Sequence, residues 1–170
     1  GGADRLIQVW HADGSAVGAI VGHDDVVTAL VWSRDSRILF SSAMDGFIKV
    51  WQVSDLSMVG RHRAHDRGVS GMAASPDGKQ LATVGPDGHL RVWSVIVAGA
   101  NATFAEAANI TLDRPAACVA WSADGTYIVT GGPDRAIRYW RLRENQPVLR
   151  VEAHDGAVTA LAVVPPNSRP

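Results

Sequence analysis

The sequence predicts an all-β protein built from successive four-stranded antiparallel sheets. Three observations predict it. A block recurs every 41 to 47 residues, counted between Trp10, Trp51, Trp93 and Trp140. Short apolar runs inside each block alternate with period two, as half-buried strands do. Turn formers separate those runs at the same places each time. No stretch carries a sustained helical period.

The elements follow in chain order. Asp4-Arg5-Leu6-Ile7-Gln8-Val9-Trp10 is the tail of one block, and Ala16 to Val21 supplies its last strand. The first full block leads in with His23-Asp24-Asp25. Val27, Leu30 and Trp32 begin its first strand, and Ile48-Lys49-Val50-Trp51 form the third. The second block runs from His65-Asp66-Arg67 through the hairpin turn Ser75-Pro76-Asp77-Gly78 to Leu90-Arg91-Val92-Trp93. Leu81-Ala82-Thr83 is its second strand. The third runs from Leu112-Asp113-Arg114 through Ser122-Ala123-Asp124-Gly125 to Ile137-Arg138-Tyr139-Trp140, with Ile128-Val129-Thr130 as second strand. Glycine closes these turns because it accepts positive φ at little cost. Leu56 to Arg61 and Pro147 to Val151 read as fourth strands. His154 to Leu161 is the head of a further block, which Val163-Val164-Pro165-Pro166 stops early. The longest connection, Val95 to Ala108 with Phe104 its one aromatic, reads as a loop. Extra length on one repeat marks a partner-binding or variable edge.

Composition narrows the function. The 170 residues carry 16 Lys plus Arg against 17 Asp plus Glu, a formal net charge of −1. That balance argues against nucleic-acid or membrane-surface binding by bulk electrostatics. With 46% hydrophobic residues the chain has material for a core. Cys118 is the only cysteine, so an internal disulfide and a thiolate zinc cluster are excluded. No apolar run approaches the ~20 residues of a membrane helix.

The block length lies in the range of propeller blades. The chain resembles the WD40 repeat proteins. The resemblance rests on Gly22-His23, Ala64-His65 and Ala153-His154 at the starts of repeats. It rests equally on an Asp six residues before each Trp: Asp4/Trp10, Asp45/Trp51, Asp87/Trp93 and Asp134/Trp140. The Asp that often follows the Trp is absent, with His11, Gln52, Ser94 and Arg141 in its place. The implied architecture is an arc of four-stranded blades rather than a complete ring. Its parts are a partial blade 1–22, repeats 23–63, 64–110 and 111–152, and a partial repeat 153–170. Such an arc is expected to be cut from a longer chain and to expose apolar sheet faces at its ends.

The resemblance also implies a structural role for residues that would otherwise suggest catalysis. His23, Ser41, Asp45 and Trp51 contain the members of a hydrolytic triad, but His65, Thr83, Asp87 and Trp93 repeat the set. An active site is rarely copied into each blade. The implied network runs from Asp to His, from His to the hydroxyl, and from the hydroxyl to the indole N–H. The third block keeps Thr130, Asp134 and Trp140 but has Leu112 in place of His, so Asp134 needs another donor or water. Its Asp is expected to be more solvated, or its blade less rigid. His154 starts a network whose remaining members are not in the chain. Neither a catalytic residue, a cofactor nor a metal is expected. His62 and His65 have the spacing of a helical metal pair but fall on strand and loop. Cys118 reads as a buried inert thiol. Asn101-Ala102-Thr103 and Asn109-Ile110-Thr111 match glycosylation sequons, which occur often by chance.

Function in such a fold falls on the loops. By resemblance, the favoured surface is the end formed by the lead-in loops and the turns before the key Asp. Asp25 and Met44 lie there in the first repeat, Arg67 and Pro86 in the second, Arg114 and Pro133 in the third. Arg67 and Arg114 stand at equivalent places, suited to acidic or phosphorylated groups of a protein or peptide partner. The expected function is a non-catalytic scaffold that assembles a multiprotein complex, intracellular and either cytoplasmic or nuclear. The alternative is a regulatory or substrate-recognition segment of a larger enzyme, such as a ubiquitin-ligase receptor or signalling protein. Trp140-Arg141-Leu142-Arg143 departs from the Trp-Asp-x-Arg box of cullin-docking receptors, with Arg141 replacing the Asp.

Overall fold

A computed structural model describes residues 1–144 and 146–163. The Val164-Pro165-Pro166 stop lies outside them, as does the end of the last partial repeat. Among the described residues every regular element is a strand. β1 (Leu6–Trp10) and β2 (Ala16–Val21) form a two-stranded antiparallel sheet. Three four-stranded antiparallel meanders follow. The first contains β3 (Val27–Trp32), β4 (Ile38–Ala43), β5 (Phe47–Gln52) and β6 (Met58–Arg63). The second contains β7 (Gly71–Ala74), β8 (Gln80–Val84), β9 (His89–Ala98) and β10 (Asn101–Thr111). The third contains β11 (Cys118–Trp121), β12 (Ile128–Gly131), β13 (Ala136–Trp140) and β14 (Leu149–Glu152). The first strands lie side by side, β3 next to β7 and β7 next to β11, so the sheets fan from one edge. The described sheets form an incomplete propeller arc.

The same turn chemistry closes the first hairpin of each blade. Ser33, Ser75 and Ser122 donate through Oγ to Asp35, Asp77 and Asp124 at 2.7, 2.6 and 2.6 Å. Each serine Oγ also accepts the backbone N–H of Ile38, Gln80 or Tyr127 at 2.9 Å. The turn is thereby fixed before any long-range packing is needed.

Both faces of the middle strands are covered, so the core lies between sheets. One cluster joins the first sheet to the first full blade through Ile7, Ile20, Leu39 and Trp51. A second joins the first and second blades through Ile48, Val50, Leu81 and Trp93. The third joins the second and last blades through Leu90, Val92, Ile128 and Trp140. At the ends of the arc Trp10, Val21, Leu149 and Val151 are exposed.

Three expectations need correction. The Val95–Ala108 segment is no loop. It belongs to a long hairpin of β9 and β10, turned at Gly99 with a φ of 58°. Val95, Val97, Ala102 and Phe104 face the second core cluster, while Ile96 faces solvent. Alternation onto a neighbouring blade therefore outweighs the low strand propensity of its Ala and Asn residues. Gly60 permits the approach, since a Cβ there would lie 2.6 Å from the Ala102 Cβ. The fourth strands also start two residues later than expected, at Met58 and Leu149. Finally, 154–163 forms no strand, because no second strand pairs with it among the described residues. It still docks: Val158 is buried and its N–H donates to the Gly132 carbonyl at 2.9 Å.

Candidate functional site

The sheets bring the recurrent polar residues together. In the first blade His23 Nδ1 lies 2.7 Å from Asp45, and its Nε2 lies 2.7 Å from Ser41 Oγ. Trp51 Nε1–H donates to the same Oγ at 2.8 Å. In the second blade His65 Nδ1 lies 2.8 Å from Asp87, and its Nε2 lies 2.9 Å from Thr83 Oγ1. Trp93 donates to Thr83 at 3.0 Å. One assignment of protons satisfies every member. The indole N–H donates to the hydroxyl, the hydroxyl to neutral Nε2, and Nδ1–H to the carboxylate. A protonated imidazole would turn Nε2 into a donor and leave the hydroxyl proton without that acceptor.

This geometry has the outline of a proton relay without its access. Ser41 and Thr83 are fully buried, and each hydroxyl oxygen is already held by an indole. A nucleophile must reach its substrate. What the arrangement does is connect the lead-in loop, β4 and β5 in one blade, and the lead-in loop, β8 and β9 in the next.

A basic residue four positions after each Asp adds to the set. Lys49 donates to the Gly22 carbonyl and lies 3.7 Å from Asp45. Arg91 donates to the Ala64 carbonyl and lies 3.6 Å from Asp87. In the last blade Trp140 donates to Thr130 at 2.8 Å, and Leu112 occupies the histidine's place. The donor that Asp134 needs is Arg138, at 2.6 Å, which also reaches Asp113 at 3.0 Å. Asp134 is the most open of the three carboxylates, its side chain 21% exposed against 6% for Asp45 and 12% for Asp87. Lys49, Arg91 and Arg138 share one register position, a signal legible in the repeat but not used.

Burial holds the His23 and His65 imidazoles below their ordinary value of 6.5, although Asp45 and Asp87 pull the other way. Burial pushes the Asp87 carboxyl up, yet the hydrogen bonds from His65 and the His89 backbone, with the His65 and Arg91 charges, together outweigh it and leave the carboxyl below its ordinary value. The stability held by neutral histidines is present above pH 6.5 and is lost as pH falls through the depressed folded-state values. Thermal melts are therefore expected to shift downward between about pH 7.5 and about pH 5.5, well above the range where carboxylates titrate. A flat melting temperature over that interval contradicts neutral buried histidines.

The remaining histidines lie apart. His62 sits between Phe104, stacked at 4.9 Å, and Trp93, edge-on at 4.4 Å. It joins two blades. His154 is exposed. Cys118 is buried, with Sγ 3.6 Å from the Gly131 and Val158 carbonyls, and burial pushes its thiol up.

The candidate partner-binding residues gather at one end, because a His–Asp bond in the first two repeats, and Arg138 bonded to Asp113 and Asp134 in the third, ties the lead-in loop to the turn before the third strand. Asp25, Arg67, Arg114 and Pro133 are exposed there, while Met44 and Pro86 are half-buried. Among the described residues neither Arg67 nor Arg114 forms an ion pair. Asp66 is engaged instead by Arg63 at 3.3 Å.

Comparison with known proteins decides the family. The family model described as WD domain, G-beta repeat matches residues 14–52, 56–94 and 112–141. The chain belongs to the WD40 repeat family. Among curated WD40 relatives, the nuclear distribution protein nudF of Aspergillus terreus is 35% identical over 54 residues, which are 32% of this chain and 12% of that protein. The human angio-associated migratory cell protein is 41% identical over 54 residues, 31% of this chain and 12% of that protein. The aligned stretch is thus about an eighth of each relative. A chain in the crystal structure of a mitotic checkpoint complex superposes with a TM-score of 0.78 at 23% identity, over 93% of this chain and 47% of that one. This last likeness supports the WD40 fold.

Proposed function

We propose that this WD40 arc is a non-catalytic scaffold that presents its loop end to other proteins and helps assemble a multiprotein complex inside the cell. The observation that carries this reading is the pair Arg67 and Arg114. They are exposed at equivalent places in neighbouring repeats and have no ion-pair partner among the described residues. Guanidinium groups so placed suit acidic or phosphorylated segments. Membership of a family of interaction modules supports the same reading, as does the multiprotein setting of the solved neighbour. In this account the repeated His, Ser or Thr, Asp and Trp sets hold the blades that carry the loops.

Charge reversal tests it. The double variant Arg67→Glu, Arg114→Glu is expected to recover partner proteins roughly tenfold less well or worse, from loss of charge-assisted hydrogen bonds. Its melting temperature should stay close to that of the unaltered chain, because both side chains are exposed. Equal recovery of the same partners removes this surface from the function.

A further inference from the structure

The last repeat departs from its neighbours at two linked places. Leu112 replaces the histidine, and Arg135 occupies the turn position held by Gly46 and Gly88. Those glycines have φ of 87° and 79°, and Arg135 adopts 69°. A side chain at such φ is unfavourable, and tolerance of that strain invites a functional explanation. Arg5 has a similar φ of 64° in the first turn, but no second arginine lines the hollow beside it.

Without the histidine, Arg138 turns to Asp134 and Asp113 rather than to a carbonyl of the lead-in loop. A cleft of about 730 Å³ lies there, lined by Arg114, Arg135, Arg138 and Arg150 together with Asp113 and Asp134. Arg138 is only 5% exposed, and its Nε is buried without a hydrogen-bond partner. Charges in the cleft are unevenly committed. Arg138 serves both aspartates, and Arg150 pairs with Glu152 at 2.5 Å. Arg114 and Arg135 have no ion pair among the described residues.

Two uncommitted guanidiniums match the charge of about −2 and the three oxygens of a phosphomonoester. A single carboxylate would leave one of them uncompensated. The cleft is also larger than a phosphate needs, which leaves room for the chain on either side of a modified residue. We propose that this cleft of the last blade binds a phosphorylated side chain of a partner protein, with Arg114 and Arg135 as the phosphate ligands and Arg138 and Arg150 as its floor and wall. The proposal rests on the scaffold reading and assigns that function a site.

The test titrates the chain with a short neutral peptide carrying one phosphoserine, followed by arginine side-chain NMR. Serine and glutamate versions of the peptide and inorganic phosphate serve as comparisons. Saturable shifts at Arg114 and Arg135 are expected with the phosphopeptide. Arg135→Gly should weaken binding roughly tenfold or more. It should melt at or above the temperature of the unaltered chain, because glycine relieves the turn. Arg114→Gln, on the opposite loop, should weaken binding similarly, while Arg67→Glu should leave it unchanged. The site is overturned by absent binding, by unaltered affinity in both cleft variants, by equal affinity for the glutamate peptide, or by binding of inorganic phosphate alone. If the phosphopeptide fails while Arg67→Glu abolishes partner capture, the cleft falls and the scaffold reading stands.

Discussion

Replacing Trp93 with alanine is expected to cost about 3–5 kcal/mol of unfolding free energy, the range for removing a large buried aromatic side chain. Trp93 is 4% exposed within the cluster that joins the first two full blades. Its ring meets His62 edge-on, and its N–H is the donor to Thr83. Truncation therefore opens a cavity between two sheets and frees a buried hydroxyl in one step. Trp93→Phe keeps much of the packing and removes the donor, so a smaller loss of about 0.5–1.5 kcal/mol is expected, the net worth of one hydrogen bond. Urea denaturation of both variants measures the difference. A Trp93→Ala chain as stable as the parent contradicts the packing.

Asp87→Ala is expected to cost about 1–3 kcal/mol, because it strands the buried Nδ1–H of His65. His65 is fully buried, and Asp87 is its acceptor. The matching change in the last blade, Asp134→Ala, should cost less. No histidine depends on Asp134, and Arg138 keeps its bond to Asp113. Equal losses at the two positions would show that the histidine adds nothing to the fastening.

Most of the fold was legible because the repeat preserves chemistry as well as pattern. Trp51, Trp93 and Trp140 each sit ten residues after the hydroxyl they donate to. That spacing crosses one hairpin, so it can be read along the chain. The Ser-x-Asp turns were equally visible. The β9–β10 hairpin was not, because Ala102 and Ala105 look like loop residues until a neighbouring blade gives the alternation a face to cover. The stacking of His62 on Phe104 is invisible for the same reason, since it joins strands of different blades. At the loop end, the equivalent exposed places of Arg67 and Arg114 follow from register alone. Arg135, Arg138 and Arg150 were missed. Their convergence depends on Arg138 turning toward the aspartates once Leu112 stands in the histidine's place, a consequence in three dimensions of one substitution.

The central claim is that indole, hydroxyl, imidazole and carboxylate act as one unit in each of the first two full blades. A double-mutant cycle of Thr83→Val and Trp93→Phe, read by urea unfolding, tests it most directly. Acting as a unit, the pair should show a coupling energy of about 0.5 kcal/mol or more, with the double variant little worse than the costlier single. Losses that add to within about 0.3 kcal/mol would contradict the claim.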